Sequence, residues 1–345
     1  VFGPIIFNFM SWLLKESRAN GVENIKFIAR EGFLLHKAFE LIINHPLIKG
    51  QGIVFPQGSY FLCSRRASIF AALRTEEDIS RLLERHFAGT IKSFFYNRLN
   101  VRDMDGIEHL LGAEILEREI ILPDGRDFLF NVIVQVFDIL AQQAEDEREA
   151  LLEYCEIQGL NSSEEIGLVD IGYSGSIQKA LSSLLRKPLA GYYFVTDDLA
   201  KPLKYPGSIC RAYFGEFIDP ANSSLPIHKH SLLLEAILTA PSGQLLYFQR
   251  HNREIAPIFK DPGISQKEFE KINQIHEGIL EFINSILNSF GLNALEIEFP
   301  KDSIQLVYDM VAEGDIDIGN LKNVLSVEDN FCGNKELCAI DFYKK

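Results

Sequence analysis

The chain has 345 residues, of which 47% are hydrophobic and 24% charged, values close to those of ordinary globular proteins. This composition excludes a disordered, collagen-like or disulfide-scaffold protein, and the length suits one large α/β domain with insertions or two smaller domains. The formal net charge of −14 repels phosphate backbones and anionic lipids, so nucleic acid is not an expected partner.

The cysteines and the first residues bear on cellular location. The 5 cysteines are scattered and form no C-x-x-C pair, which favours a reducing, cytoplasmic setting. The first apolar stretch, Ile5–Leu14, is interrupted by Asn8 and Ser11 and is too short to cross a bilayer, so we expect no membrane span. Because the chain begins at Val1 without a methionine, we also expect further domains of a longer polypeptide as partners.

The first part of the chain predicts a helix, a strand and a second helix. The spacing of apolar residues predicts a helix over Ile5–Arg18, a strand over Ile25–Ala29 and a helix from Gly32 to about Asn44. A second short strand is predicted at Tyr60–Cys63.

A different pattern begins after Thr75, where amphipathic stretches follow one another without a convincing strand. We therefore expect an all-helical insertion over residues 76–159. Its most regular piece, Asp127–Tyr154, carries apolar residues along one side, and core packing explains that stripe better than a cofactor site does.

The next segment predicts a βαβ unit. A strand at Ile166–Ile171, a helix at Ser176–Arg186 and a strand at Ala190–Thr196 follow one another closely, so the two strands should be parallel with a right-handed crossover. Further strands are predicted at Cys210–Phe214 and Gln244–Phe248.

The last part of the chain is predicted to be helical, with Gln266–Phe290 as its longest element and another helix beginning at Pro300. The expected fold is therefore α/β, with an open, mostly parallel sheet and helices on both of its faces. The expected parts are an α/β core of residues 1–75 and 160–260, the helical insertion 76–159, and a helical C-terminal subdomain 261–345.

The strongest functional signal is the turn 170–176, which joins the strand and the helix of the βαβ unit. Ligands bind at the carboxyl ends of strands in open sheets, and a following helix offers unpaired N–H groups to an anion. The position of this turn therefore predicts a site for an anionic ligand.

The residues of the turn fit that prediction. Gly172 and Gly175 would let the backbone approach a ligand, and the hydroxyls of Ser174 and Ser176 would donate to phosphate oxygens. Asp170 would hold a sugar hydroxyl, a divalent cation such as Mg²⁺, or a proton in transfer. The alternative is that a serine only caps the helix and the glycines only form the turn.

Two other predicted strand ends carry polar groups. Arg30 and Glu31 follow the first strand, although an ordinary surface salt bridge explains them about equally well. Ser64, Arg65 and Arg66 follow the second strand. Arginine clamps phosphate and carboxylate groups through paired hydrogen bonds. If the strands are parallel, these side chains meet the turn 170–176 at one sheet edge and form a locally positive pocket.

No metal site is predicted from residue spacing. The 8 histidines include His228 and His230, but none has the H-E-x-x-H or cysteine-paired spacing of a zinc site. The D-x-D pairs at Asp103 and Asp315 do not follow an apolar strand, so we reject both as sites.

These segments together resemble a bacterial domain of polysaccharide-biosynthesis proteins, which usually follows a haloacid-dehalogenase-like domain and often accompanies glycosyltransferases. That family's pattern is an opening Gly-Pro helix, then FLARDG, SRR and VDIGWSGSIQ segments, then a glutamate followed by AP-x-G. The matching pieces here, spanning about residues 1–260, are Gly3-Pro4, Phe27–Gly32, Ser64–Arg66, Val169–Gln178 and Glu235 through Gly243.

The resemblance implies a phosphorylated sugar, a sugar nucleotide or pyrophosphate as ligand, and a transferase or hydrolase if the chain is an enzyme. It brings Gly32 into the binding site and adds Glu235 to Asp170 and Glu31 as candidate catalytic groups. Glu31 stands where the family has aspartate, which puts direct catalysis at that position in doubt. A fainter likeness to type I phosphoribosyltransferases, in the loops at residues 30–32 and 170–176, suggests a shared ligand geometry more than a shared reaction.

A rival hypothesis is a non-catalytic module that docks on a neighbouring glycosyltransferase or phosphatase domain through its insertion or its C-terminal helices. The two hypotheses differ in what the fold should show. A functional pocket requires the arginines and the Asp170 turn to converge in one cleft, whereas a docking module requires an exposed apolar patch on the insertion.

Overall fold

A computed structural model gives the fold of the protein. The structure describes residues 1–201, 205–252, 254–328, 332–333 and 336–340.

The first part of the chain confirms the predicted order of helix, strand and helix. Its elements are α1 (Phe2–Ala19), β1 (Asn24–Ile28), α2 (Gly32–Ile43), β2 (Gln57–Phe61) and α3 (Arg65–Ala71). Ser64 caps α3, because its hydroxyl accepts a hydrogen bond from the Ala67 N–H at 3.0 Å.

The insertion contains α4 (Ile79–Leu82), β3 (Phe87–Thr90), α5 (Ile91–Ser93), α6 (Met104–Leu111), α7 (Ala113–Leu116), β4 (Glu119–Leu122), α8 (Arg126–Gln135) and α9 (Phe137–Ile157). It differs from the expected all-helical insertion, because β3 and β4 pair as a small antiparallel sheet. Strands of four residues are too short to show a clear alternation in sequence. The helix expected over Asp127–Tyr154 is also divided, with an interruption at Val136 between α8 and α9.

The middle of the chain contains β5 (Ile166–Asp170), α10 (Ser176–Leu185), β6 (Ala190–Asp197), β7 (Ile209–Ile218), α11 (Pro226–Lys229), α12 (Ser231–Leu238), β8 (Leu245–His251) and β9 (Glu254–Phe259). The βαβ unit is confirmed, since β5 and β6 pair in parallel across α10. Strand β8 pairs with β9 as a separate hairpin outside the main sheet. The sequence analysis missed β9, in which Pro257 interrupts the strand pattern.

The C-terminal part is mostly helical, as expected. It contains α13 (Ile264–Lys267), α14 (Phe269–Phe290), α15 (Lys301–Ala312), β10 (Ser326–Val327) and β11 (Leu337–Cys338). The two short strands pair with each other. Within the described ranges, no helix has both the length and the apolar content that a membrane crossing requires.

The main sheet has the order β2-β1-β5-β6-β7, and all its neighbouring strands are parallel. Residues on β1 and β5 alternate between its two faces. Phe27 and Val169 belong to a core formed with α1, α2, α12 and α14, whereas Ile28 and Leu168 pack against α3, α9 and α10. Burial on both faces explains why β5 is apolar almost throughout.

This topology places the candidate site. Strand β1 lies between β2 and β5, although β5 follows it by more than a hundred residues in the chain. Because the three strands are parallel, their carboxyl ends share one sheet edge. The segments that follow Ile28, Phe61 and Asp170 are therefore neighbours.

Candidate functional site

A pocket of about 140 Å³, which we call the strand-end pocket, lies at this edge of the sheet. The segments after β1, β2 and β5 supply most of its wall, and α12, the β8–β9 hairpin and the C-terminal part close it. This size accommodates a small polar ligand or one end of a larger one.

The structure brings most of the predicted site residues together. Those that line the strand-end pocket are Arg30, Glu31, Ser64, Arg65, Asp170, Gly172, Ser174, Ser176 and Glu235. Three of the predicted residues do not line it, namely Gly32, Arg66 and Gly175.

Asp170 is the last residue of β5 and is only 9% exposed. Burial raises the pKa of its carboxyl to about 6, against a smaller opposing effect of the Gly172 N–H, which donates to Oδ1 at 3.1 Å. The negative charge of Glu31 raises this pKa further, while Arg65 lowers it. The Asp170 carboxyl therefore gains and loses a proton near neutral pH, as a general acid or base must.

Arg30 lies between two carboxylates at the carboxyl end of β1. Its Nη1 is 3.4 Å from Oε2 of Glu328, and its Nε is 3.9 Å from Oε1 of Glu31. All three side chains are largely buried, with 11–13% of their surface exposed. The surface salt bridge considered for Arg30 and Glu31 is thus replaced by a shielded cluster that includes a third residue.

Arg65 begins α3, and Arg85 comes from the insertion just before β3. Both line the strand-end pocket. Burial lowers the pKa of Arg85, and the positive charge of Arg65, which lines the same pocket, lowers it further. Two cations held close together favour an anion between or beside them.

The charge of the strand-end pocket differs from the positive pocket expected from the sequence. Its cationic side chains are Arg30, Arg65 and Arg85, and its acidic side chains are Glu31, Asp170, Glu235 and Glu328. Arginines can bind phosphate, and carboxylate oxygens are among the ligands that Mg²⁺ prefers. The donor set therefore suits a phosphate ligand that arrives with a divalent cation or presents hydroxyl groups.

The serines of the pocket have different roles. The Ser64 hydroxyl donates to the Leu245 carbonyl at 2.7 Å while it caps α3. The alternative that Ser174 or Ser176 caps α10 is wrong, because this helix begins after Gly175 without a side-chain cap. The Ser174 hydroxyl donates to the buried carboxylate of Asp197. Among the described residues, the Ser176 hydroxyl has no hydrogen-bond partner, which leaves it available to a ligand.

Gly175 has a structural role instead of the expected contact with a ligand. Its φ of +58° lies in the left-handed region, and it is the residue from which α10 begins. A Cβ at this position would face the Tyr193 hydroxyl at 3.5 Å. Gly172 does line the pocket, and a Cβ there would lie 3.0 Å from Oδ2 of Asp170.

Gly32 and Arg66 also lie outside the pocket for physical reasons. A Cβ at Gly32 would be 2.5 Å from the carbonyl carbon of Phe27, so glycine is needed there for α2 to start close to β1. Arg66 is 3% exposed, and its guanidinium pairs with Glu147 and donates from Nε to the Leu99 carbonyl at 2.9 Å. Arg66 therefore stabilises the junction between α3 and α9.

The sequence analysis missed Arg85 and Glu328 as pocket residues. Arg85 lies in the insertion, and Glu328 follows the two-residue strand β10, so neither ends a recognisable strand of the main sheet. Only the tertiary fold brings them to the pocket, and no local pattern in the sequence marks them.

Within the described part of the chain, one group has the side chains and spacing to hold a metal ion, and it lies outside the strand-end pocket. His230 Nε2 is 2.9 Å from Oδ1 of Asp309 and 3.2 Å from Oε1 of Glu313. The Lys229 ammonium is 2.6 Å from that same Glu313 oxygen, so a cation already neutralises the group. We assign this cluster to packing between α11 and α15.

A scan against protein-family models and a search of curated proteins found no match to this chain. The comparisons therefore supply no relative from which to carry over a function. The case for a function rests on the geometry and chemistry of the strand-end pocket.

Proposed function

We propose that the strand-end pocket binds a phosphorylated sugar, a sugar nucleotide or pyrophosphate, and that it serves transfer or hydrolysis of that ligand. The observation that carries this proposal is the convergence of three loops at one sheet edge. They bring Arg30, Arg65 and the buried Asp170 to a single pocket, although these residues are far apart in the chain.

The arginines and the start of α10 would hold the phosphate. Arg65 and Arg85 supply charge-assisted donors, and Arg30 is oriented by the carboxylates of Glu31 and Glu328. Ser176, at the first turn of α10, adds a hydroxyl and the partial positive charge of a helix N-terminus. Together these groups would neutralise an anion inside a chain whose net charge is −14.

Asp170 would act as the general acid or base of the reaction. A carboxyl with a pKa of about 6 exists in both protonation states near neutral pH, so it can accept a proton from a hydroxyl or water, or return it to a leaving group. Glu31 and Glu235 line the same pocket and would contact ligand hydroxyls. A Mg²⁺ ion that accompanies the phosphates would be held mainly by phosphate oxygens and water, with one or two of these carboxylates as further ligands, and it would neutralise charge on the ligand.

The biological setting follows from the resemblance to the polysaccharide-biosynthesis domain, so surface-polysaccharide synthesis in the cytoplasm of a bacterium is part of this proposal. The docking-module hypothesis expects scattered arginines. The convergence of Arg30 and Arg65 with Asp170 favours the ligand-binding function over docking.

Isothermal titration tests the proposal with phosphorylated sugars, sugar nucleotides, phosphoribosyl pyrophosphate and pyrophosphate, each with and without Mg²⁺. We expect at least one of these to bind, and Arg65→Met to weaken that binding about tenfold or more through loss of a charge-assisted contact. Arg250→Met is the matched control, since Arg250 lies on the β8–β9 hairpin and pairs with Glu153 outside the pocket.

Two results would contradict the proposal. One is that the wild type gives no heat with any of these ligands. The other is that Arg65→Met and Arg250→Met bind the ligand as tightly as the wild type does.

A further inference from the structure

A second cavity, which we call the α10 groove, lies between α10 and the insertion and has a volume of about 200 Å³. One face of α10 forms one wall, where Ser176, Lys179, Ala180 and Ser183 follow the i, i+3, i+4, i+7 spacing of a helix face. The end of α3 and the residues around α4 form the other wall.

The α10 groove adjoins the strand-end pocket. Ser176 lines both cavities. Glu84 lines the groove, and the next residue, Arg85, lines the pocket. A ligand whose phosphates lie at the start of α10 would therefore have its remaining part directed along the helix into the groove.

The wall of the α10 groove combines apolar surface with hydroxyl groups. Ile69, Ala72 and Ala180 give it an apolar side. Ser182 also lines it, is 5% exposed, and has a hydroxyl oxygen without a hydrogen-bond partner among the described residues.

Lys179 adds a further donor. Its ammonium group donates to the Leu199 carbonyl, and an ammonium has three N–H donors in all. Lys179 is half-buried in the wall of the groove, and burial lowers its pKa. The groove thus offers hydroxyl and ammonium donors at the edge of an apolar surface.

We propose that the ligand of the strand-end pocket is a nucleotide whose nucleoside lies in the α10 groove. This inference rests on the proposed function and selects among its ligands. A nucleobase has two apolar faces and a polar edge, which match the apolar side and the Lys179 ammonium group of the groove. Pyrophosphate would leave the groove unfilled, and a sugar would place its hydroxyls against Ile69, Ala72 and Ala180.

The test compares uridine, cytidine, adenosine and guanosine diphosphates with pyrophosphate and a sugar 1-phosphate, by isothermal titration of the wild type and of variants that fill the groove. Ser183→Leu fills it from α10, and Ser208→Leu fills it from a different segment, so a folding defect in one does not remove the test. Ser183→Ala is the matched control, because alanine leaves the groove open.

We expect the best nucleoside diphosphate to bind the wild type about tenfold or more tightly than pyrophosphate does. Both leucine variants should lose that advantage while their affinity for pyrophosphate stays within about twofold of the wild type. Ser183→Ala should keep the advantage.

Two outcomes would overturn the inference and leave the proposed function standing. In the first, pyrophosphate and every nucleoside diphosphate bind equally well. In the second, the leucine variants bind the sugar 1-phosphate more weakly than the wild type does and bind the nucleoside diphosphates with unchanged affinity. A wild type that binds none of these ligands would overturn the proposed function itself.

Discussion

Two neighbouring arginines on α3 lie in opposite environments. Arg66 is buried in a cluster in which Glu147, the Leu99 carbonyl and the Leu246 carbonyl accept its hydrogen bonds. Arg65 is half-buried and faces the strand-end pocket, where acidic and basic side chains lie together. We call the first region the Arg66 cluster.

The two regions differ in how completely hydrogen bonds and opposite charges compensate for the burial of their polar side chains. In the Arg66 cluster, both oxygens of Glu147 meet the guanidinium, and Gln143 donates to Oε1 at 2.8 Å. In the strand-end pocket, the Asp170 carboxyl is buried at a cost that raises its pKa. A satisfied polar cluster stabilises the fold, whereas an incompletely satisfied one can gain free energy from a ligand.

The largest expected effect is a loss of stability when the Arg66 cluster is broken. Glu147→Gln removes the charge that pairs with the buried Arg66 and turns an amide toward it, so the free energy of unfolding should fall by about 3–5 kcal/mol. Urea unfolding measures this loss. The double variant Arg66→Met/Glu147→Leu should recover much of it, because no charge is then left buried. A Glu147→Gln protein as stable as the wild type would show that the cluster does not stabilise the fold.

The next expected effect is a rise in the free energy of unfolding, and its size depends on pH. The pKa of Asp170 is raised from 3.8 to about 6, so ionising this carboxyl destabilises the folded state. The penalty begins near pH 4, where the carboxyl ionises in the unfolded state, and it is complete about one pH unit above the folded pKa. At 1.36 kcal/mol per pKa unit, Asp170→Asn should raise the free energy of unfolding by about 1–3 kcal/mol at pH 8 and by only about 0.5 kcal/mol at pH 4.

Urea unfolding at pH 4, 6 and 8 gives the comparison for Asp170→Asn. Asp315→Asn serves as the control, because Asp315 is exposed and outside the pocket, and it should follow the wild type at each pH. If Asp170→Asn instead destabilises the protein at pH 8, Asp170 belongs with the satisfied polar groups of the fold.

The smallest expected effects distinguish the roles of two glycines in the turn 170–176. Gly175→Ala should cost about 1–2 kcal/mol of stability, because alanine is strained at positive φ, and it should leave ligand binding intact. Gly159 also has a positive φ and has open space around it, so Gly159→Ala is the control for the effect of backbone strain alone. Gly172→Ala should change binding, because its Cβ would press on the Asp170 carboxylate. The prediction fails if Gly175→Ala weakens binding more than Gly172→Ala does.

The sequence predicted the parts of the site that are local in the chain. The strand before Asp170 is a continuous apolar run, and the glycines and serines after it mark a strand-to-helix turn. The βαβ pattern predicted that β5 and β6 are parallel. The meeting of the segments after β1, β2 and β5 at one edge was expected only if those strands are parallel too, and they are.

The sequence did not distinguish Arg65 from Arg66. Consecutive residues on a helix point in directions about 100° apart, and which of the two faces the pocket depends on how α3 packs. The partner of Arg66 is Glu147, 81 residues away in α9, where it lies in a run of charged residues that is typical of a solvent-exposed helix face. The α10 groove likewise forms only where the insertion packs against the core.

Amide hydrogen exchange with and without a saturating phosphate ligand and Mg²⁺ tests the central claim most directly, because it locates the ligand on the chain. Pyrophosphate is the first probe, and a nucleoside diphosphate is the second. We predict protection in the segments 29–31, 63–65 and 170–177, which contribute the three loops of the strand-end pocket. Protection confined to other segments, or no protection with either probe, would contradict the claim.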